Sequence, residues 1–324
     1  MFNIKYNPMK KKLFLLLMTL CMTASVYVQG QTTPKRPPLT GLSHVAYYTK
    51  NLDSTLKFFE DYLGYSEITR INDKDGKLWI VVVKINDKQF LEIMPEKDAS
   101  AIRLSHFAFE TADVEAMRLY LASKGYKVPP KTNYDEILGM TSFHTSAPHG
   151  HDFEFVQYDK NGLIAKGKGK NLPATRISDA MNHVALATPN LDEAKMFYED
   201  LLGYHEIWRG GSNGAIQWVY YQLPEGQDCI EYLLYDRPQS VGQITAMNHI
   251  CFEVDDVAAL RKALLKKILP EGCRVPSDVV IGTNNIRQIS LFNADGIRIE
   301  IMENHTVDGL PPTAQTGVPL KYIP

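Results

Sequence analysis

Apolar and polar residues alternate in short runs along most of the chain, and the period of that alternation changes at regular places. Four runs with strand period are Leu42 to Tyr48, Leu104 to Glu110, Met181 to Ala187 and Met247 to Glu253. Side chains of a strand point alternately to its two faces. Val45 and Tyr47, Phe107 and Phe109, Val184 and Leu186, Ile250 and Phe252 therefore share an apolar face in their respective runs. A helical period follows. In the first case Leu52, Leu56, Phe59 and Leu63 fall at helical spacing, with Asp53 as the expected N-cap and Gly64 as the expected C-terminal cap. Three strand-like runs come next, about Ser66 to Ile71, Leu78 to Ile85 and Gln89 to Met94. The predicted order is strand, helix, strand, strand, strand, and it recurs. This makes the chain α+β, with four βαβββ modules.

The modules come as a duplicated pair. Asn51 to Tyr65 (NLDSTLKFFEDYLGY) and Asn190 to Tyr204 (NLDEAKMFYEDLLGY) agree at nine of fifteen positions, at an offset of 139. The same offset carries His44 onto His183 and Glu92 onto Glu231. A weaker echo links ETADVEA from Glu110 with EVDDVAA from Glu253. Such self-similarity marks repeated structural units.

The chain ends differ in kind from the repeats. Lys10, Lys11 and Lys12 precede an apolar run, Leu13 to Leu20, and small or polar residues follow through Ala24, Ser25 and Gly30. That order of basic patch, short apolar stretch and small-residue exit is expected of a secretory signal, with cleavage near Gly30–Gln31. A retained anchor needs ~20 apolar residues, more than Leu13 to Val28 supplies with Thr19, Thr23 and Ser25 inside it. Lipidation at Cys21 would call for a small residue where Leu20 stands. The resulting division is 1–30 signal, 31–38 linker, 39–158 first module pair, 159–178 linker, 179–304 second pair and 305–324 an extended arm. The exported product is expected in the periplasm or outside the cell, with no stable membrane span once the signal is removed.

Composition adds exclusions. The 324 residues include 35 basic and 37 acidic ones, a net charge of -2, which gives no broad basic surface for nucleic acid. Charged residues at 22% and aromatics at 10% are values of a folded chain. Export would leave Cys229, Cys251 and Cys273, an odd number that forms no disulfide framework.

The candidate chemistry lies on the strand faces opposite the apolar ones. His44, His106, His183 and His249 point away from the helix side, with the small Ala46, Ala108, Ala185 and Cys251 two residues later. In the last strand of each module a glutamate sits between apolar neighbours: Glu92, Glu154, Glu231 and Glu300. The histidine-to-glutamate separations are 48, 48, 48 and 51. One histidine in a strand is ordinarily a core or edge residue, and one such glutamate ordinarily faces water. Four of each at nearly fixed spacing change that balance. If two modules pair, two imidazoles and two carboxylates converge. Nearby carboxylates repel and raise each other's pKa, a problem that a divalent cation (Zn, Ni, Mn, Co or Fe) removes.

The stretches HVALATPNLDEAKMFYEDLLGY (His183 to Tyr204), its counterpart His44 to Tyr65, and ADGIRIEIM (Ala294 to Met302) resemble the vicinal oxygen chelate superfamily. That superfamily includes glyoxalase I, bleomycin- and fosfomycin-resistance proteins and extradiol dioxygenases. The resemblance covers about Leu39 to Asn304. It implies paired modules whose mixed sheets curl around clefts, with a metal inside. It implies the ligand sets His44, Glu92, His106, Glu154 and His183, Glu231, His249, Glu300 if neighbouring modules pair. If pairing is swapped, His44 and Glu92 join His249 and Glu300. By the same resemblance a ligand glutamate, Glu154 or Glu300, serves as the proton-transfer base. An extradiol dioxygenase would use His183, His249 and Glu300, with a tyrosine where Ser290 stands, and that departure counts against ring cleavage.

The function expected is therefore an exported metal-dependent enzyme of glyoxalase-like type. It would apply Lewis-acid chemistry to a small substrate with adjacent oxygens, as an isomerase, epimerase or lyase. The alternatives are an iron-dependent dioxygenase and a small-molecule binding or resistance protein. Lesser candidates are His144, lining the cleft as an acid or base, and His149 and His151, expected in a surface turn. Cys229 and Cys251 lie on the ligand faces as thiols or apolar filling. Trp218 and Tyr220 could stack on a substrate.

Overall fold

The structure is a computed structural model that describes residues 34–98 and 101–323. The expected signal at 1–30 lies outside the described residues.

The first module runs β1 (Leu39–Thr49), a helix Leu52–Lys57 continued by the wider turn Phe58–Tyr62, β2 (Ser66–Asn72), β3 (Leu78–Lys84) and β4 (Phe90–Pro95). The second has β5 (Leu104–Thr111), a helix Val114–Ser123, β6 (Asn133–Asp135), β7 (Met140–Ser146) and β8 (Asp152–Tyr158). The third repeats the first, with β9 (Met181–Thr188), a helix Leu191–Lys195 continued by Met196–Leu201, β10 (His205–Ser212), β11 (Ala215–Gln222) and β12 (Cys229–Leu234). The fourth has β13 (His249–Val254), a helix Val257–Leu264, β14 (Val280–Ile281), β15 (Arg287–Phe292) and β16 (Arg298–Glu303).

The helices start on side-chain caps, and one expected cap moves. Asn51, not Asp53, accepts from the Ser54 N–H at 3.1 Å. Asp53 lies in the first helical turn, where its charge faces the positive end of the helix dipole. An asparagine at the first non-helical residue reaches the open N–H groups, which a residue already inside the turn cannot do. Gly64 and Gly203 close the two equivalent helices at φ +83° and +80°, the left-handed conformation that glycine adopts without strain.

Neighbouring modules pair, and the swapped arrangement does not occur. The first sheet has the order β2-β3-β4-β1-β5-β8-β7-β6, and the second β10-β11-β12-β9-β13-β16-β15-β14. In each sheet the first strands of two modules lie side by side, antiparallel, and each is flanked by its own module's last strand, parallel to it. Four histidine and glutamate strands thus occupy the middle of each sheet.

One shared core fills the helix-side faces of both sheets, including Val45, Tyr47, Phe107, Phe109, Val184, Leu186, Ile250 and Phe252. The two halves are also joined by polar bonds. Gln89 exchanges two hydrogen bonds with the Met181 backbone, and the Tyr120 hydroxyl donates to the Leu201 carbonyl. The opposite faces are concave and separate. The first carries its own apolar lining, among it Ala46, Val82, Phe90, Ala108 and Met140. The second carries Trp208, Tyr220 and Cys229.

Two further elements depart from the sequence pattern. A helix Val241–Met247 precedes β13, opened by a capping box between Ser240 and Gln243. The arm after residue 305 is extended but not free. Its β17 (Val318–Pro319) pairs with the start of β11, and the Gln315 and Leu320 N–H groups donate to the carbonyls of Arg209 and Ile216.

Candidate metal centres

Each concave face gathers the histidines and glutamates of two modules. Strand pairing fixes this. Glu231 lies beside Ala185 and Glu300 beside Cys251 in parallel register, while His249 faces Ala185 and Cys251 faces His183 across β9 and β13. Four side chains from four adjacent strands therefore rise from one patch of the sheet.

In the second half the four candidate ligand atoms form a closed ring. His183 Nε2 lies 3.4 Å from Glu231 Oε2 and 3.5 Å from Glu300 Oε2. His249 Nε2 lies 3.5 and 3.4 Å from the same two oxygens. All four atoms are within 4.8 Å of one another, and all four residues are buried. Spacings of this size match nitrogen and oxygen ligands around a divalent cation bound at ~2.0–2.2 Å. His183 Nε2 has no hydrogen-bond partner among the described residues, although it is fully buried. A buried polar atom left open in this way has an unmet partner.

In the first half His44, His106 and Glu154 form the corresponding set. His44 Nε2 is 2.9 Å from Glu154 Oε2 and 3.2 Å from His106 Nε2. Glu92 stands 3.9 Å from His44 Nε2 and 3.5 Å from His106 Nε2. The second half thus brings its four anticipated side chains into one group, while in the first half three of them, His44, His106 and Glu154, form the group and Glu92 stands beside it.

The imidazoles share one orientation. Each uses Nδ1 locally: His44 toward Ser43 Oγ (3.4 Å), His106 toward Ser105 Oγ (3.3 Å), His183 toward Asn182 Oδ1 (3.0 Å) and His249 toward the Met247 carbonyl (2.7 Å). Every Nε2 is turned inward. An oxygen partner at one ring nitrogen sets the tautomer and aims the other, as metal-binding histidines require.

Electrostatics hold Glu92, Glu154 and Glu300 ionised. Burial pushes Glu154 up, but the imidazoles of His144, His44 and His106 outweigh it and keep the carboxyl well below the ordinary carboxylate range. Burial opposes ionisation of Glu300 too, and Arg298 with the two imidazoles reverses that. Glu92 is likewise lowered by His44 and His106 against the effect of burial.

The flanking residues differ between halves. His144 is half exposed, with Nδ1 at 3.1 Å from Asp152 and Nε2 at 3.3 Å from Glu154 Oε1. Burial alone would lower this imidazole, but the two carboxylates raise it to about 10. His144 therefore does line the first cleft, and with His106 and Asp152 it forms a further group of possible ligands. In the second half the Arg298 guanidinium pairs with Glu300 Oε1 and donates Nε–H to Ser290 Oγ at 2.9 Å. Ser290 stands directly opposite Glu300 on the neighbouring strand. Neither Asp152 nor Arg298 stood out in the sequence. Both lie two residues before a ligand glutamate, so strand parity alone puts them on its face.

The remaining candidates have structural roles. His149 and His151 donate Nε2–H groups to the carbonyls of Asn190 and Ala187, both at 3.1 Å. They fasten the β7–β8 turn to the second half. Cys229 and Cys251 are buried free thiols, and burial pushes each up to about 12, which keeps them protonated.

A family model described as the glyoxalase/bleomycin resistance protein/dioxygenase superfamily matches residues 41–155 and 180–301. No curated protein sequence gives a significant match. Among solved structures, the 2,3-dioxygenase LapB from Pseudomonas sp. KL28 is similar at 17% identity and a TM-score of 0.63, covering 89% of this chain and 99% of that one. The Mn(II)-bound glyoxalase from Novosphingobium aromaticivorans is similar at 19% identity and a TM-score of 0.62, covering 87% and 88%. Homoprotocatechuate 2,3-dioxygenase from Arthrobacter globiformis shows 15% identity, a TM-score of 0.58, and coverage of 92% and 88%.

Proposed function

The chain belongs to the glyoxalase/bleomycin resistance protein/dioxygenase superfamily, and from that premise we propose that it is a metal-dependent enzyme acting on a small substrate with adjacent oxygens, by isomerase, epimerase or lyase chemistry. The observation that carries this reading is the common orientation of four imidazoles, Nδ1 engaged and Nε2 inward, against four buried carboxylates. His44, Glu92, His106 and Glu154 would hold one divalent ion, and His183, Glu231, His249 and Glu300 another. Such an ion would supply Lewis acidity to a bound oxygen of the substrate. The chain's own residues do the rest. A carboxylate held ionised beside the substrate takes a proton from carbon, and Glu154 or Glu300 fills that role. His144 bridges Glu154 and the surface residue Asp152, so a proton on Glu154 has a hydrogen-bonded neighbour on the solvent side.

The dioxygenases among the similar structures favour a second reading, iron-dependent oxygen chemistry at His183, His249 and Glu300. Ser290 and Arg298 beside Glu300 weigh against ring cleavage there, because no phenol faces the ligand from that position. Elemental analysis of the purified protein separates the readings. Zinc, nickel, manganese or cobalt supports the first; iron with oxygen uptake supports the second. A protein that retains no metal and binds small molecules would overturn both in favour of a binding protein.

Export remains part of the proposal, resting on the Lys10–Gly30 pattern. No helix among the described residues is long and apolar enough to cross a membrane. Mass spectrometry of the protein from its native cells should show a mature chain beginning near Gln31; an intact Met1 or Met9 terminus would refute it.

A further inference from the structure

The two halves carry the same inner side chains behind different walls, and strand register matches the walls position by position. Glu92 lies opposite Val82, which lies opposite Thr69. Glu231 lies opposite Tyr220, which lies opposite Trp208. On the other side, Glu154 lies opposite His144 and Glu300 opposite Ser290. Two small side chains in the first half are thus replaced by two large aromatic ones in the second.

The aromatic pair narrows the second hollow and is fixed in place. Trp208 and Tyr220 are 6% and 9% exposed. The Tyr220 ring meets the His183 ring edge-on at 5.1 Å, and Trp208 meets Tyr220 at 5.6 Å. The indole Nε1–H donates to the Thr313 carbonyl of the C-terminal arm at 3.1 Å. The ring lies over Gly210, where any Cβ would run into it. Arg298 covers the remaining oxygen of Glu300. The cavity left over Glu231 and Glu300 is about 170 Å³, against about 560 Å³ over Glu92, His106 and Glu154. The larger one falls within the usual range of small-molecule sites, ~300–1,000 Å³, and the smaller one below it.

We propose that the halves have divided their work: substrate enters only the first hollow, and the second-half cation is a structural clamp hemmed in by Trp208, Tyr220 and Arg298. This rests on the metal reading given above. It places proton transfer on Glu154 and leaves Glu300 a ligand alone. It also gives the C-terminal arm a task, since Thr313 holds the plug.

Manganese(II) alone is the probe, read by its binding stoichiometry and by water-proton relaxation per bound ion. Relaxation is enhanced where a bound ion exchanges water with solvent, so it reports access without any substrate. Glu300→Ala, loaded in the first half, should keep the enhancement. Glu154→Ala, loaded in the second half, should bind one ion and lose most of it. Adding Trp208→Ala (or Trp208→Leu, should the smaller residue unfold the chain) to Glu154→Ala should restore it. His44→Ala and His183→Ala repeat the comparison with independent variants. Equal enhancement in the Glu154→Ala and Glu300→Ala proteins overturns the division of work while leaving the metal reading intact. Failure of Glu154→Ala protein to bind any manganese overturns the clamp. Failure of the unmodified protein to bind manganese or any other divalent ion overturns both.

Discussion

At the scale of the residue, one imidazole or carboxylate means little, and position on the strand does the selecting. His183 and Glu300 come together because each points to the concave face of its own strand and the strands lie one apart. Removing either member leaves three ligands and an uncompensated hollow. Glu300→Ala is expected to lower metal content from two ions per chain to one, and Glu154→Ala to do the same at the other site, each measured by elemental analysis. Unchanged content in either variant would remove that residue from the ligand set. His151 offers a test outside the metal centres. Burial lowers its pKa from 6.5 to about 4, and its ring donates to the Ala187 carbonyl. Between these values the unfolded chain binds a proton that the folded one does not, so stability rises with pH across that window and falls on acidification. Thermal melts at pH 7 and pH 5 should show a smaller acid-induced drop in Tm for His151→Gln, which keeps an N–H donor, than for the unmodified protein. An equal drop would show that His151 is charged in the folded state.

At the scale of the element, the helices depend on short polar signals at their ends. Asn51→Ala removes the side chain that accepts from Ser54 and should cost about 1 kcal/mol in a denaturant titration; no loss would place the cap elsewhere. Gly64 carries a heavier load. It sits at φ +83°, and a Cβ there would collide with the Thr175 carbonyl. Gly64→Ala should therefore cost more than the roughly 1–2 kcal/mol of left-handed strain, because the 159–178 segment must also shift. That segment, expected as a linker, is tied down nearby. Ile177 N–H donates to the Leu63 carbonyl, and Lys84 donates to the carbonyls of Gly167 and Lys170. A denaturation midpoint unchanged in Gly64→Ala would contradict this packing. Helix spacing and capping glycines were legible from the order of residues, because both depend on contacts a few positions apart. The order of residues does not separate Asp53 from Asn51, because aspartate and asparagine cap equally well and only the backbone shows which of them lies outside the helix. The capping box at Ser240 and Gln243 is an equally local signal.

At the scale of the whole molecule, two sheets share one core and keep two separate hollows. The C-terminal arm reaches the second hollow through Thr313 and through β17. Deleting residues 312–324 should expose Trp208, one of three tryptophans, and shift the protein's fluorescence to longer wavelength; an unchanged spectrum would mean the arm does not hold the indole. Duplication, four βαβββ modules and the eight histidines and glutamates of the concave faces were all present in the order of residues. They rest on period, spacing and repetition, which a chain carries before it folds. What surrounds those ligands was not. Nothing in the sequence separates Trp208 from other strand residues or Arg298 from a surface arginine, and Tyr220 is marked there only as a side chain that could stack on a substrate. Their effect depends on which side chain a neighbouring strand sets opposite, and that register is settled only when distant strands pair, since the bonds joining them run between residues far apart in the chain. The choice between neighbouring and swapped modules belongs to the same class. Sequence determined which groups are available and which way each would point; tertiary structure decided which of them meet, and how much room remains in front of them.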